Sequence, residues 1–403
     1  MIKVIIFVLL IFSIIYGSYF LIMASGVFIR KKNSVDSTKK NHFAILIAAR
    51  NEELVIENLI KSLKKQNYPK SKYDIYVIIN NCTDNTLSVA KKAGASIIEC
   101  KCKVKTKGDV LAYTFDKLKN NDEIDAYVVF DADNVVHTEF LNEMNNSINN
   151  GYEVVQGFRD TKNICDNWLS TSYAILYYLQ SLFINKSRFN FGKSSFLNGT
   201  GFMVKKNIID EYGYSPKTIT EDIEFTAMCA INGVKIAFNE YAITYDEQVT
   251  NFTNSLKQRK RWSFGAIQCL KNYTYTLLKM GIKNKRFECF DVILFYFGII
   301  FHVLFSLISL FGIIYNFIHF DKFNNFNIYI YFIILLFNYL VGVIFRIIVI
   351  KKCNKSVKNN IGGILLFDLF ILSWLPINFI CLFIKDCNWD HIKHDRNVDI
   401  LNI

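Results

Sequence analysis

Two pairs of carboxylates are the first features of this 403-residue sequence that suggest chemistry. The first pair, in Asp131-Ala132-Asp133, directly follows the apolar run 126–130. Carboxylates one residue apart can hold Mg²⁺ or Mn²⁺ against a diphosphate, because hard cations prefer oxygen ligands. The same pattern is common in solvated turns, so a turn without a metal is the alternative interpretation.

The second pair lies in Thr220-Glu221-Asp222. An aspartate can take the proton from an acceptor hydroxyl if it lies within hydrogen-bonding distance of that hydroxyl. Thr220 also precedes a predicted helix whose first turn is acidic, and this arrangement is typical of an N-cap. A general base and a helix cap therefore both remain open for this segment.

A third group combines cations with an aromatic ring in Gln258-Arg259-Lys260-Arg261-Trp262. Basic stretches near a membrane often extend their charged ends to the lipid surface, and this is one interpretation. The alternative is a ligand site, in which the indole offers a flat face to a sugar and guanidinium groups donate to phosphate.

The elements that must position these groups alternate between strands and helices. Apolar runs predict strands at 43–48, 75–79, 96–99 and 126–130, and helices are predicted up to about residues 66 and 93 and at 108–118. This alternation predicts parallel βαβ units, in which ligands bind beyond the carboxyl ends of the strands. Arg50, Asn80 and Asp131 all fall at such ends.

Taken in order, the three groups and the Ala49-Arg50-Asn51-Glu52 segment resemble family 2 glycosyltransferases of the membrane-embedded synthase type. Poly-N-acetylglucosamine, cellulose and hyaluronan synthases are examples. The resemblance runs from about residue 43 to 265. It implies an α/β domain with the GT-A (Rossmann-like) fold, a UDP-sugar donor, Mg²⁺ or Mn²⁺ as cofactor, and inversion at the anomeric carbon.

The resemblance also implies roles for individual residues. Asp222 matches the catalytic base, and Asp133 matches the metal ligand. Asn80 stands where the family usually has an aspartate that binds uracil, and its amide oxygen can still accept the uracil N–H. The donor would be bound by Arg50, Asn80, Lys107, Asp131 and Arg261, and the acceptor by Gln258, Trp262 and Gly199.

Strongly apolar segments at both ends predict a membrane protein. Residues 1–29 are expected to be an uncleaved anchor, because their apolar run is longer than that of a signal peptide. Residues 30–287 would form the soluble domain, and 288–403 a membrane region with a short tail. Further spans are predicted at 292–318, 328–350 and 361–384, the last broken near Pro376. The uncharged segment 168–184 is expected to be a cytosolic helix that lies on the bilayer surface.

Basic residues flank the predicted spans on one side, which places the soluble domain in the cytosol of a multi-pass cell-membrane protein. The net charge of +12 lies largely in these flanks, so membrane lipids rather than nucleic acid are the expected anionic partners. The favoured function is transfer of a sugar from a UDP-sugar to a growing polysaccharide. Single glycosylation of a membrane lipid is the alternative, and a non-catalytic scaffold is disfavoured because all three aspartates are intact. A Trp-led segment at 389–394 loosely matches a phosphate-gating motif of the relatives, with His394 or Arg396 as its cation.

Overall fold

A computed structural model describes residues 2–29, 38–101, 104–318, 325–387, 396 and 398. Its centre is one eight-stranded sheet with the spatial order β3-β2-β1-β4-β7-β6-β8-β5. The strands are β1 (Phe43–Ala49), β2 (Tyr73–Ile79), β3 (Ser96–Glu99), β4 (Ala126–Asp131), β5 (Val135–Val136), β6 (Val154–Thr161), β7 (Phe202–Lys205) and β8 (Ile236–Asp246).

The four strands predicted from apolar runs are β1 to β4, and they pair in parallel as expected. In this register Ala49 lies opposite Ile79, and Ala48 lies opposite Asp131. The carboxyl ends of β1, β2 and β4 therefore meet at one edge. That edge carries Arg50, Asn80 and Asp131, so the predicted clustering of these residues is confirmed.

The second half of the sheet is mixed. β7 runs antiparallel between β4 and β6, while β6 and β8 are parallel with an irregularity after Gly157. The end of β8, at Asp246, lies beside the end of β4. Asn134, which follows β4, donates to Asp246 Oδ1 at 3.0 Å.

Helices cover both faces of the sheet. Alternate residues of β1 point to opposite faces of the sheet and are buried on both. Phe43 and Ile45 belong to one buried cluster, and Ala44 and Leu46 belong to another. The helices are α1 (Ile2–Ser25), α2 (Ile56–Lys64), α3 (Thr86–Lys92), α4 (Lys107–Leu118), α5 (Phe140–Asn149), α6 (Trp168–Leu179), α7 (Ser187–Asn190), α8 (Lys206–Tyr212), α9 (Glu221–Asn232), α10 (Phe252–Asn284), α11 (Phe287–Ile318), α12 (Asn325–Lys352), α13 (Ile361–Leu372) and α14 (Leu375–Cys381).

Four segments of the described chain are long and apolar enough to cross a membrane. They are Ile11–Phe28, Phe287–Ile308, Phe332–Lys352 and Lys358–Cys381. The first is joined to the rest by a buried ion pair: Arg188 donates to both oxygens of Asp291 at 2.8 and 3.0 Å, and Tyr19 of α1 donates to the same carboxylate at 2.5 Å. A further ion pair, between Arg346 of α12 and Asp368 of α13 at 2.8 Å, lies within the membrane helices.

The last of these segments is interrupted, as the sequence predicted. α13 ends at Leu372 and α14 begins at Leu375, one residue before Pro376. Arg259 of α10 donates to the carbonyl of Phe370 and to Ser373 Oγ, both at 2.9 Å, so it satisfies the end of α13.

The chain enters and leaves this helix pair beside the sheet. Before α13, Lys355 pairs with Asp160 of β6 at 2.9 Å. After α14, Arg396 pairs with Asp166 at 2.7 Å. We call α13, α14 and the two residues between them the elbow. Trp389 and His394 lie outside the described residues.

The segment predicted to lie on the bilayer surface is helical but mostly buried. α6 continues into a π-helix over Gln180–Lys186, and the residues of α6 pack against α13. The contact is close, because a Cβ on Gly363 would lie 2.2 Å from Thr171 Cβ. The segment thus joins the sheet to the elbow.

Candidate active site

An open cavity of about 650 Å³ lies between the sheet edge and the candidate membrane helices. It is lined on one side by residues at the carboxyl ends of β1 and β4 and by Asn80, which follows β2, and on the other side by residues of α9, α10, α11 and the elbow. The catalytic, donor, acceptor and metal residues that the resemblance implied all line it: Arg50, Asn80, Lys107, Asp131, Asp133, Gly199, Asp222, Gln258, Arg261 and Trp262. Arg396, the described candidate for a phosphate-gating cation, does not line the cavity.

Lys107 connects the sheet edge to the acidic turn. It begins α4 behind a capping box made by Thr106 and Asp109, so its backbone is fixed. Its ammonium donates to Asp131 and, at 2.6 Å, to the carbonyl of Gly199. Burial alone would lower the pKa of Lys107, but the nearby carboxylates outweigh it and raise the pKa, so the side chain is a permanent cation.

Asp222 lies in the first turn of α9, against Gly199. A Cβ on Gly199 would lie 3.2 Å from Asp222 Oδ2, and the positive φ of 87° also favours glycine there. Burial raises the pKa of the Asp222 carboxyl, opposed by a backbone hydrogen bond from Ile223 and by the charge of Lys107. A buried carboxylate with a raised pKa is suited to accept a proton.

The helix-cap interpretation of this turn is confirmed for the position of Thr220 but not for its side chain. Thr220 occupies the N-cap position of α9, but its side chain makes no capping hydrogen bond. Its hydroxyl instead faces α10, where a Cβ on Gly265 would lie 2.3 Å from Thr220 Oγ1. This close contact brings the Gln258–Trp262 segment next to the Glu221-Asp222 turn.

Gln258, Arg261 and Trp262 lie on one face of α10, as their spacing of three and four residues requires. All three line the cavity, whereas Arg259 points away from it and holds the elbow. Trp262 is surrounded by other rings: Tyr173 and Tyr177 meet it edge-on at 6.0 and 6.3 Å, and Trp374 lies 6.1 Å away.

The carboxylates near Asp133 form a second acidic group. Asp133 accepts from the backbone N–H of Glu247 at 3.1 Å, and Asp246 is held by the guanidinium of Arg159 at 2.8 Å. Burial raises the pKa of Asp246 to about 6. The positive charge of Arg159 lowers this pKa, and the neighbouring Asp133 carboxylate raises it. The crowding of these carboxylates is relieved by an added cation.

The donor set fits a cation that is held jointly with a ligand. No group of three or more His, Cys, Asp or Glu side chains in the described part of the chain forms a complete metal cage. Mg²⁺ commonly binds through one or two carboxylates together with substrate phosphates. Asp131 and Asp133 supply such a pair at the open edge of the sheet.

The comparison with known protein families decides the identity of this site. Residues 40–265 match the model of the family described as "Glycosyltransferase like family 2". The chain belongs to glycosyltransferase family 2. The match covers the sheet, the Asp131-Ala132-Asp133 turn, the Glu221-Asp222 turn and the Gln258–Trp262 segment, close to the range 43–265 over which the resemblance was predicted.

Curated relatives share only part of their length with this glycosyltransferase. The probable glycosyltransferase YdaM of Bacillus subtilis is 24% identical over 294 residues, which are 66% of either chain. The beta-monoglucosyldiacylglycerol synthase of Nostoc sp. PCC 7120 is 27% identical over 258 residues, or 62% of this chain and 54% of the relative. The chain thus spans between one half and two thirds of these relatives.

A solved structure resembles nearly the whole chain. The mannosyltransferase PcManGT from Pyrobaculum calidifontis, in complex with GDP-Man and Mn²⁺, superposes with a TM-score of 0.64. The superposition covers 96% of this chain and all of that one, at 12% sequence identity. At this identity the likeness concerns the fold, which is therefore a GT-A-like α/β sheet with flanking candidate transmembrane helices.

Several residues of the glycosyltransferase cavity were missed by sequence reasoning. Arg159, Asp246 and Glu247 line it, although no motif marks them. Asp246 ends the long strand β8 and Glu247 follows it, and the apolar residues of 236–245 are the sequence signal that could have indicated this strand end. Glu221 also lines the cavity, 3.9 Å from Lys107. Its carboxyl has a raised pKa, because it is buried beside Asp222 although Lys107 opposes the shift.

Proposed function

We propose that this protein transfers one sugar from a UDP-sugar to a membrane lipid, with inversion at the anomeric carbon. The observation that carries the proposal is the continuity of the cavity, which runs from the sheet edge to α11, a helix long and apolar enough to cross a membrane. An acceptor bound in the membrane can reach Asp222 through this space without crossing solvent.

The proposed reaction is a single displacement. Asp222 takes the proton of an acceptor hydroxyl, the hydroxyl oxygen bonds to the anomeric carbon, and the bond from that carbon to the diphosphate breaks. The diphosphate leaves with the electron pair. Lys107 and Arg261 stabilise its charge, because a fixed cation is worth most where negative charge develops.

A divalent cation is part of this proposal. Asp133, with Asp131, would hold Mg²⁺ or Mn²⁺, and the cation would neutralise the diphosphate as it departs. Arg50 and Asn80, at the ends of β1 and β2, would bind the nucleotide. Asn80 is buried and donates to the carbonyl of Cys100 at 3.4 Å. Its amide oxygen accepts from Asn81 at 3.5 Å and has a second lone pair that would accept from the base.

Elongation of a polysaccharide is the second candidate function. It is favoured by Trp262, whose ring lies beside Tyr177 and Trp374 on the cavity wall. Aromatic faces pack against the C–H groups of pyranose rings, and a synthase needs such a surface to hold the growing chain. Gln258 and Gly199 would then contact the terminal sugar.

Asp368 does not line the cavity. It pairs with Arg346 instead, which gives no support to a transport path for a polysaccharide on that side.

We further propose that the sheet domain faces the cytosol of a multi-pass membrane protein. Residues 1–29 would be the anchor, 30–287 the catalytic domain and 288–403 the second membrane region. Lys351 and Lys352 end α12, and Lys355 follows beside the sheet, so a basic flank and the domain lie on the same side. These flanks would contact anionic membrane lipids.

Product analysis tests the proposed function. Purified protein in liposomes that contain cell-membrane lipids is incubated with radiolabelled UDP-sugars and GDP-sugars, with Mn²⁺ and with Mg²⁺. A single chloroform-soluble glycolipid supports lipid glycosylation. A water-soluble ladder that grows with time would instead establish the polysaccharide synthase.

A further inference from the structure

The end of the cavity nearest the membrane contains a line of hydrogen bonds that no proposed catalytic step uses. It joins Trp374 of the elbow, Ser263 of α10, Asn378 of α14 and His302 of α11. The distances are 2.8 Å from Trp374 Nε1 to Ser263 Oγ, 2.6 Å from Ser263 Oγ to Asn378 Oδ1, and 3.1 Å between Asn378 Nδ2 and His302 Nδ1. We call these four side chains the polar relay.

Chemistry fixes the direction of the polar relay. An indole N–H can only donate, so Ser263 accepts from Trp374 and is free to donate to the Asn378 amide oxygen. The Asn378 amide nitrogen can only donate, so His302 Nδ1 must accept. A neutral imidazole that accepts at Nδ1 carries its proton at Nε2. No described residue bonds to Nε2, and His302 lines the cavity.

The polar relay lies in an otherwise apolar surface. We define the membrane wall as the cavity residues supplied by α11 and the elbow. None of the described residues in this wall is Asp, Glu, Lys or Arg. The cavity's arginines and lysines lie outside the wall: Arg50, Lys107 and Arg159 on the sheet side, and Arg261 on α10, where it is proposed to bind the donor diphosphate. The membrane wall consists of Phe295, Gly298, Ile299, His302, Ile371, Trp374 and Asn378.

The membrane wall therefore suits one class of acceptor. A lipid phosphate would bring a charge that needs a cation beside it, because an unpaired charge is costly to bury. A neutral headgroup with a hydroxyl needs only a hydrogen-bond donor and an apolar surface for its acyl chains. The polar relay ends in such a donor at His302 Nε2.

We propose that the polar relay binds the headgroup of a neutral, hydroxyl-bearing glycerolipid, with His302 Nε2–H donating to a headgroup oxygen. This proposal rests on the proposed function, since it names the acceptor class for the same cavity. His302 is a positioning and specificity residue here: it holds the headgroup so that a free hydroxyl lies towards Asp222, and it takes no part in the proton transfer.

The experiment compares two lipids as acceptors for the purified full chain in mixed micelles with its UDP-sugar. Diacylglycerol is the neutral probe and a polyprenyl phosphate the charged one. His302→Phe removes the donor, whereas His302→Gln keeps one group that accepts from Asn378 and one that donates. Tyr339→Phe is the matched control, because it removes a hydrogen bond of 3.2 Å to Leu365 between α12 and α13, outside the cavity.

We expect wild type to prefer diacylglycerol, and His302→Phe to raise the KM for diacylglycerol about tenfold with an unchanged KM for the UDP-sugar. His302→Gln and Tyr339→Phe should stay within about twofold of wild type.

A preference for polyprenyl phosphate, or an unchanged KM for diacylglycerol in His302→Phe, overturns the acceptor assignment while lipid transfer itself stands. If His302→Phe does not fold, a changed diacylglycerol KM in Asn378→Leu decides in its place, and an unchanged one overturns the proposal. Absence of any lipid product in wild type, with polymer formed instead, defeats the proposed function and this inference together.

Discussion

The two ends of the cavity are built from different materials. The sheet end is made by backbone that turns sharply after β1, β2 and β4, and it concentrates charge: Lys107 bonds to Asp131, and Arg159 to Asp246. The membrane end is made by helix faces, with neutral side chains joined in one relay. The sheet end is equipped to hold a charged diphosphate and the membrane end to hold an uncharged group.

Under the proposed function, this difference would separate binding of the donor from binding of the acceptor. Asp222 lies at the junction, on α9 between the sheet and α10. Changes at the sheet end should therefore affect the donor and the chemical step, and changes at the membrane end should affect the acceptor alone. Substitutions at each end, with the KM of donor and acceptor measured separately, show whether the two ends behave independently.

The largest effect is expected for Asp222→Asn. The amide cannot accept the acceptor proton, so transfer should fall about 10²–10⁴-fold, whereas UDP binding measured by calorimetry should be unchanged. Glu221→Gln is the matched control, since Glu221 is the buried neighbour and should cost less. A greater loss in Glu221→Gln than in Asp222→Asn would reassign the base.

The next largest effect concerns the metal. Asp133→Asn should reduce transfer about 10²–10³-fold and raise the Mn²⁺ concentration needed for half activity, because one stabilising contact to the leaving group is lost. EDTA should abolish wild-type transfer. Asp210→Asn, which changes a carboxylate paired with Lys206 on α8, is the control and should retain full activity. Full turnover in EDTA would refute the metal role.

Lys107→Met should lower transfer about tenfold to a hundredfold and change its pH dependence. Asp222 must be deprotonated to act, so kcat/KM falls as the pH drops through its raised pKa. Lys107 opposes that rise, and removing it raises the pKa further. The acidic limb of the pH profile should therefore move to higher pH. A limb that stays in place would show that Lys107 and Asp222 are not electrostatically coupled.

The smallest effect is expected for Trp262→Ala, which touches the acceptor side only. The KM for the acceptor should rise about tenfold with little change in the KM for the donor. Trp168→Ala is the control, because Trp168 lies on α6 outside the cavity lining. An equal rise in both KM values would mean that the two ends of the cavity are not separate.

The sheet end could be predicted from the sequence in considerable detail. Its strands are short apolar runs, and β3 was predicted over the very residues, Ser96–Glu99, that form it. Parallel pairing then brought Arg50, Asn80 and Asp131 together, because the carboxyl ends of neighbouring parallel strands share one edge. Local pattern and topology were sufficient there.

The rest of the site depends on contacts between distant elements. Asp246 approaches Asp133 because β5 pairs antiparallel with the end of β8, where Val135 lies opposite Tyr245. The polar relay needs α10, α11 and α14 together, and the residues that its hydrogen bonds join lie 76 to 115 positions apart without any repeated pattern. That the Thr220 side chain would not cap α9 could not be predicted for the same reason, since this side chain packs against Gly265 of α10.

Photolabelling tests most directly the claim that one cavity joins the donor site to the membrane. Diacylglycerol with a diazirine near the headgroup is irradiated with the protein in liposomes, and labelled residues are mapped by mass spectrometry. Phe332, Ile333 and Phe337 of α12 are 67%, 64% and 64% exposed and serve as the internal control for bulk lipid contact. We expect label on residues Phe295–His302 of α11. Excess unlabelled diacylglycerol should remove this label, whereas the label on α12 should persist. Label confined to α12, or equal competition at both helices, would contradict it.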